Sequence, residues 1–299
     1  AALKDRYVRP QITNSREGRI SIHDGRHPMV EHALKREMFV PNDTELNHTD
    51  QEMIIITGPN MAGKSTYMRQ VAVLTIMAQT GSFIPAKSAS FAPVDRIFTR
   101  VGAADDISTG QSTFMVEMKE VSHILCNATK NSLILLDEIG RGTSTYDGMS
   151  IARAVVEYLN SKVHAYTLFA THYHELSDMA AENEHIKNYT VTVKERGKEI
   201  TFLRRIVPGS ADKSYGIHVA RLAGLPESLL KRADEILEGL EVEGIKEEPA
   251  APVIRRETAL NLFSSPIIDE LADLDVMSKT PIEAMEILFR LSKEAKEGR

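Results

Sequence analysis

The eight residues Gly58-Pro59-Asn60-Met61-Ala62-Gly63-Lys64-Ser65 constrain this chain more than any other stretch. They follow an apolar run, Met53 to Ile56, and precede a stretch of helical periodicity from Tyr67 to Ala78. The pattern is G-x-x-x-x-G-K-S between a strand and a helix, and that setting separates a phosphate cradle from a chance glycine-rich turn. In such a cradle, loop N–H groups and a helix N-terminus face an anion. Lys64 then reaches the β- and γ-phosphates, and the Ser65 hydroxyl ligates Mg²⁺. A turn that binds nothing is the alternative.

The rest of the chain supplies the sheet that such a loop needs. Leu133 to Leu136 is fully apolar and ends in Asp137-Glu138; Thr167 to Ala170 is a further strand ending in Thr171-His172. Fully apolar runs suit parallel strands covered on both faces. Glu117 to Ala128 and Ser150 to Leu159 carry helical spacing between them. Strands alternating with helices predict an α/β fold with a parallel or mixed sheet flanked by helices. Tyr189 to Val193 and Glu199 to Leu203 flank Arg196-Gly197 and read as a hairpin. Ser228 to Leu240 is an amphipathic helix, announced by Gly224-Leu225-Pro226.

The expected organisation is a β-rich flap over residues 1–50, a nucleotide-binding core over 51–210, and a pair of helices over 211–240. A flexible linker over 241–258, carrying Glu-Glu-Pro-Ala-Ala-Pro, leads to a small helical segment over 259–299. About forty residues make a thin core, so that last segment needs a partner surface.

Strand C-termini form the ligand edge of such sheets. Asp137 there is expected to hold Mg²⁺, and Glu138 to orient or deprotonate an attacking water; an acidic pair at a strand end is the alternative. His172 reaches the same edge and can donate to a γ-phosphate, with His174 as its rival. Gly140 to Thr145 reads as an adaptable loop, or as a plain turn with Asp147 capping the next helix. Ser108 to Thr113 is a second Gly/Ser/Thr loop, opening a helix at about Phe114. It cannot serve the same nucleotide in cis, which raises an arrangement in trans between two subunits.

Composition narrows the class. The chain of 299 residues has 26% charged residues and a formal net charge of −6, so it lacks the basic excess of a protein that itself grips a nucleic-acid backbone. One cysteine, Cys126, excludes an internal disulfide framework and is expected to be a buried small hydrophobe; the absence of disulfides fits a reducing compartment. No apolar run approaches membrane-spanning length. The chain opens without an initiator methionine, the pattern expected of a piece of a longer protein, with processing or tagging as the alternative.

With these residues in view, a resemblance emerges. GPNMAGKST, STFMVEM, LLDEIGRGTSTYDG and FATHYHEL, in this order, resemble the ATPase domain of the MutS mismatch-repair proteins, members of the ABC-type P-loop ATPases. The resemblance runs from about Tyr7 to Leu240. It implies ATP and ADP binding by Gly58, Pro59, Asn60, Met61, Ala62, Gly63, Lys64, Ser65 and Thr66. Mg²⁺ falls to Ser65 and Asp137, and catalysis to Lys64, Glu138 and His172. Ser112 matches the serine that reaches the partner subunit's nucleotide. Phe39 resembles the aromatic that stacks on adenine, with a core phenylalanine as the alternative from residue statistics. Asn60 is expected to touch phosphate, and Ala62, where many members carry Gly, to be neutral.

The resemblance also implies a homodimer or higher homo-oligomer, formed partly through residues 211–240. It implies action on mismatched DNA through regions that have no counterpart in this chain. A MutL-type repair partner and a cytoplasmic, nucleoid-associated bacterial setting follow from the same likeness. Leu260 to Phe263 resembles a motif that docks on the replication sliding clamp, with Ala259 in place of the expected Gln; an apolar start to the tail is the alternative. Two other functions stay open: an oligomerisation and clamp-docking module with nucleotide as a switch, and another ABC-type DNA-repair ATPase.

Overall fold

The computed structural model describes residues 5–14, 18–34, 38–59, 62–102, 112–196, 199–210 and 215–244, with Ile287 and Arg290. Two sheets carry the fold. The larger has six strands: β4 (Met53–Thr57), β6 (Ile97–Arg100), β7 (Leu133–Asp137), β8 (Tyr166–Ala170), β9 (Ile186–Arg196) and β10 (Glu199–Pro208). Their order is β10-β9-β4-β8-β7-β6. Five strands run parallel, and β10 returns antiparallel at one edge as the hairpin partner of β9.

The apolar runs are explained by cover on both faces. On one face, Ile54 and Ile56 of β4 pack with Tyr67, Met68, Val71 and Leu74 of helix α2 (Lys64–Gln79). On the other, Met53 and Ile55 pack with Val121 and Ile124 of α3 (Thr113–Asn127) and Val155 and Val156 of α4 (Thr145–Tyr158). Alternate residues of one strand therefore enter two cores, and each fully buried aliphatic contributes about 1.5–3 kcal/mol.

The smaller sheet has the order β1-β5-β2-β3, from β1 (Gln11–Ile12), β2 (Arg19–Gly25), β3 (Asn42–Asn47) and β5 (Ser88–Phe91). Helix α1 (Pro28–Ala33) lies between β2 and β3 in sequence. The β-rich flap expected over residues 1–50 thus takes its central strand β5 from beyond residue 50. Ile20 and Ile22 of β2 and Phe91 of β5 join the α2-side core.

A short α5 (Met179–Glu182) precedes β9, and α6 (Gly216–Leu222) and α7 (Glu227–Gly244) follow the hairpin. Leu222, Leu225, Leu229 and Ile236 stay exposed on this helix pair. Helix α7 runs on to Gly244, three residues past the boundary expected at 241. Residues 1–236 and 237–299 form separate compact units. The clamp-like stretch Leu260 to Phe263 and nearly all of the expected tail helices lie outside the described residues. No described helix is long and apolar enough to cross a membrane. Cys126 corrects its expectation: it is exposed, two residues past Ile124 and so off the buried stripe of α3.

Candidate phosphate and metal site

Strand β4 ends at Thr57, and the chain turns through Gly58 at φ +131° and Gly63 at φ +102° before α2 begins. Such φ values favour glycine, so the spacing of the two glycines is a backbone requirement of the turn. Asn60 and Met61 lie outside the described residues. Ala62 is fully buried, so its methyl belongs to the core and the position is a packing one.

Lys64 is 4% exposed, and its ammonium donates to the Gly58 carbonyl and, at 3.2 Å, to that of Pro59. Burial lowers its pKa, opposed by the charges of Glu138 and Asp137. The lysine is folded onto its own loop, where a more acidic ligand can displace two carbonyls. The Ser65 hydroxyl donates to Asp137 Oδ2 at 2.5 Å, joining the first turn of α2 to the end of β7. Burial raises the Asp137 pKa, opposed by the Ser65 hydrogen bond. One hydroxyl and one half-buried carboxylate are hard oxygen donors of the kind Mg²⁺ takes with few protein ligands. No cluster of three or more His, Cys, Asp or Glu side chains able to hold a metal occurs among the described residues, so the remaining donors would come from phosphate and water.

Glu138 is the next residue, with φ +55°, a strained value for a side-chain-bearing residue. Its carboxylate is paired with Arg141. His172 follows β8, its ring 4.1 Å from that of Tyr173. Burial lowers the His172 pKa, Glu138 raises it, and Arg141 and Lys64 lower it. The charges that act on His172 are thus those of Lys64, Glu138 and Arg141, while His174 opens the short turn His174–Asp178.

Ser112 occupies the N-cap of α3 and accepts the Met115 N–H at 3.2 Å, while the residues before it, 103–111, lie outside the described set. Helix α4 is capped by Ser144, not by Asp147: Ser144 has the extended backbone of a cap, and Asp147 falls three residues later. The Asp147 N–H donates to Ser144 Oγ at 3.4 Å, and that hydroxyl donates back to Asp147 Oδ2 at 2.8 Å. Phe39 is half-buried and not a core residue. With Val40, Gly63, Thr66 and Arg204 it lines a cavity of about 260 Å³ beside the phosphate loop.

Two buried residues escaped the sequence reading. Glu117 accepts the Gly140 N–H at 2.7 Å, and its other oxygen lies 3.4 Å from Arg100 Nη2. They line a second cavity, of about 420 Å³, together with Asp137, Glu138 and Arg141. The Glu117 signal was present in STFMVEM, as an acid on the apolar side of a helix. Arg100 carried none, being one arginine at a strand end.

A family model described as MutS domain V matches residues 54–241. Similar curated proteins include three named DNA mismatch repair protein MutS. That of Acetivibrio thermocellus is 52% identical over 306 aligned positions, covering 99% of this chain and 35% of the relative. That of Methanococcoides burtonii is 53% identical, covering 99% and 35%, and that of Caldicellulosiruptor bescii 55% identical, covering 98% and 35%. The chain thus spans about a third of the length of these relatives. Over that span it belongs to the MutS family of DNA mismatch-repair proteins.

Proposed function

We propose that this chain is the ATP-binding and ATP-hydrolysing portion of a mismatch-repair protein, with a P-loop ATPase core of the ABC type that pairs with a second copy around ATP. The observation that carries the reading is the Ser65–Asp137 hydrogen bond of 2.5 Å beside the buried Lys64. That contact joins the loop and the start of α2 to the end of β7 at one edge of the sheet, which supports the reading.

In the proposed reaction, water attacks the γ-phosphorus and the bond to the β-γ bridging oxygen breaks. Lys64 leaves the Gly58 and Pro59 carbonyls for the phosphate oxygens. Ser65 and Asp137 would hold Mg²⁺, which would supply positive charge beside those oxygens. Glu138 accepts the water proton once Arg141 releases it. His172 donates a ring N–H to the γ-phosphate, which it can do in either protonation state. Phe39 stacks on the base in the adjoining cavity, and Ser112 completes the site of the other copy. Catalysis of this kind is positioning and electrostatics. DNA contact falls to regions outside this acidic chain, and the stretch Leu260 to Phe263 is assigned to sliding-clamp docking.

The pairing of Glu138 with Arg141 favours a second reading, in which bound ATP is a switch and turnover is slow. Glu138→Gln discriminates. On the hydrolytic reading it retains ATP affinity and loses steady-state turnover about a hundredfold, the scale of general-base catalysis. Turnover at the wild-type level removes Glu138 from that role. Mixing Lys64→Ala with Ser112→Ala subunits should restore part of the activity each lacks; absence of complementation counts against shared sites.

A further inference from the structure

Three sequence motifs converge on one residue, Gly140. The Gly140 N–H donates to Glu117 Oε1 at 2.7 Å, and the Tyr173 hydroxyl donates to the Gly140 carbonyl at 3.2 Å. Glu117 belongs to α3, which Ser112 caps. Tyr173 follows His172, and Gly140 stands two residues after Glu138. The two peptide groups that flank the Gly140 Cα are therefore each held from another part of the fold.

The grip is built, not incidental. Glu117 is 5% exposed and Tyr173 is also 5% exposed. A buried carboxylate persists only when its oxygens are bonded, and here one takes a peptide N–H while the other faces Arg100. A second contact reinforces the link: a Cβ at Gly142 would lie 2.9 Å from Phe114 Cβ, in the first turn of α3. Any movement of that end of α3 is thereby passed to the loop that carries Glu138.

We infer that Glu117 and Tyr173 are positioning residues that clamp Gly140 at its N–H and at its carbonyl, so that a shift of α3 at Ser112 re-aims Glu138. Its catalytic part rests on the hydrolytic reading above. Occupancy of one site would then set the turnover of the other through a chain of named contacts, with the clamp as its middle element.

The test uses the full chain and three measurements: ATP affinity with a fluorescent analogue, steady-state turnover, and amide exchange of the 138–142 segment. Glu117→Ala should keep affinity within about threefold, lower turnover about tenfold or more, and speed loop exchange by a similar factor, the scale of one hydrogen bond to a charged group. Glu117→Gln keeps an acceptor for the Gly140 N–H and should recover most of the turnover. Tyr173→Phe should act in the same direction, and the double variant should lose less than the product of the two single losses, because both hold the backbone of one residue. A merely structural role predicts that affinity, turnover and melting temperature fall together, with no rescue by Gln. That result, or unchanged loop exchange in Glu117→Ala, overturns the clamp. A wild-type chain that binds ATP without turning it over refutes the hydrolytic reading alone; loop exchange then decides the clamp.

Discussion

Gly148, in the first turns of α4, gives the sharpest test of how the loop after β7 is seated. A Cβ built there lies 2.1 Å from the Gly140 carbonyl oxygen, 2.5 Å from the Tyr173 hydroxyl and 3.0 Å from the Gly140 carbonyl carbon. Two of these atoms are backbone, so Gly148→Ala cannot be relieved by swinging a flexible side chain. Overpacking of this kind costs about 1–3 kcal/mol, and a backbone clash belongs at the upper end. Displacing the Gly140 carbonyl from Tyr173 adds roughly 1 kcal/mol. The gain in helix propensity from Gly to Ala returns about 1 kcal/mol. The balance is a destabilisation of about 3 kcal/mol, or a fall in melting temperature of roughly 6–12 °C for a unit of this size. Gly239→Ala is the matched control: Gly239 also sits in a helix, and a Cβ there meets nothing within 4 Å, so only the propensity gain remains. The assay is thermal unfolding of both variants followed by far-UV dichroism. Equal melting temperatures for Gly148→Ala and wild type would refute the close seating of Gly140 against α4. With it would go the argument that the loop carrying Glu138 has a single position.

Other tests probe separate features. Gln70 is fully buried with neither side-chain amide atom partnered among the described residues; Gln70→Met should therefore stabilise by about 1–2 kcal/mol in thermal unfolding, and a loss of stability would mean that the amide is satisfied. His27 is 7% exposed, and burial lowers its pKa below the usual 6.5, with Arg69 adding to the effect. Between that lowered value and 6.5 the unfolded chain holds a proton the native chain lacks, so stability should rise with pH across this window and the full penalty should apply below it. His27→Gln should flatten the melting-temperature profile there, and an unchanged profile would assign the dependence to another group. Asp137→Asn should raise the Mg²⁺ concentration for half-maximal turnover about 10- to 100-fold if it holds the ion directly or through water, and an unaltered Mg²⁺ dependence would exclude it.

The sequence displayed the parts of the site that depend on local backbone chemistry. Gly58 and Gly63 take positive φ values that glycine favours, and the apolar runs of β4, β7 and β8 each face two cores. Such features act through neighbours in the chain or through periodicity, so they leave a local trace. The choice between His172 and His174 left none, because both follow the same strand within three residues; only the surrounding charges of Glu138, Arg141 and Lys64 separate them. The cap of α4 was misread for a related reason. Ser144 and Asp147 are both good capping residues, and the backbone angles at Ser144 decide between them. Cys126 was misplaced because composition favours burial while its phase on α3 places it off the buried stripe.

What the sequence hid altogether is the set of contacts that join the motifs. Glu117 and Gly140 are 23 residues apart, and Gly140 and Tyr173 are 33 apart. No periodicity links such positions, and each residue type is ordinary where it stands. Their meeting follows from sheet order: β8 lies between β4 and β7, so Tyr173 after β8 comes beside the loop after β7, and α3 packs into the same core as Tyr173. Binding chemistry can thus be written in short words such as GPNMAGKS, since a phosphate needs only one loop and one helix end. Communication between two nucleotide sites needs at least three elements held in register, and register is a property of the folded sheet. The residues proposed to bind are therefore the ones a single sequence displays, while those proposed to time hydrolysis emerge only from the packing around Gly140.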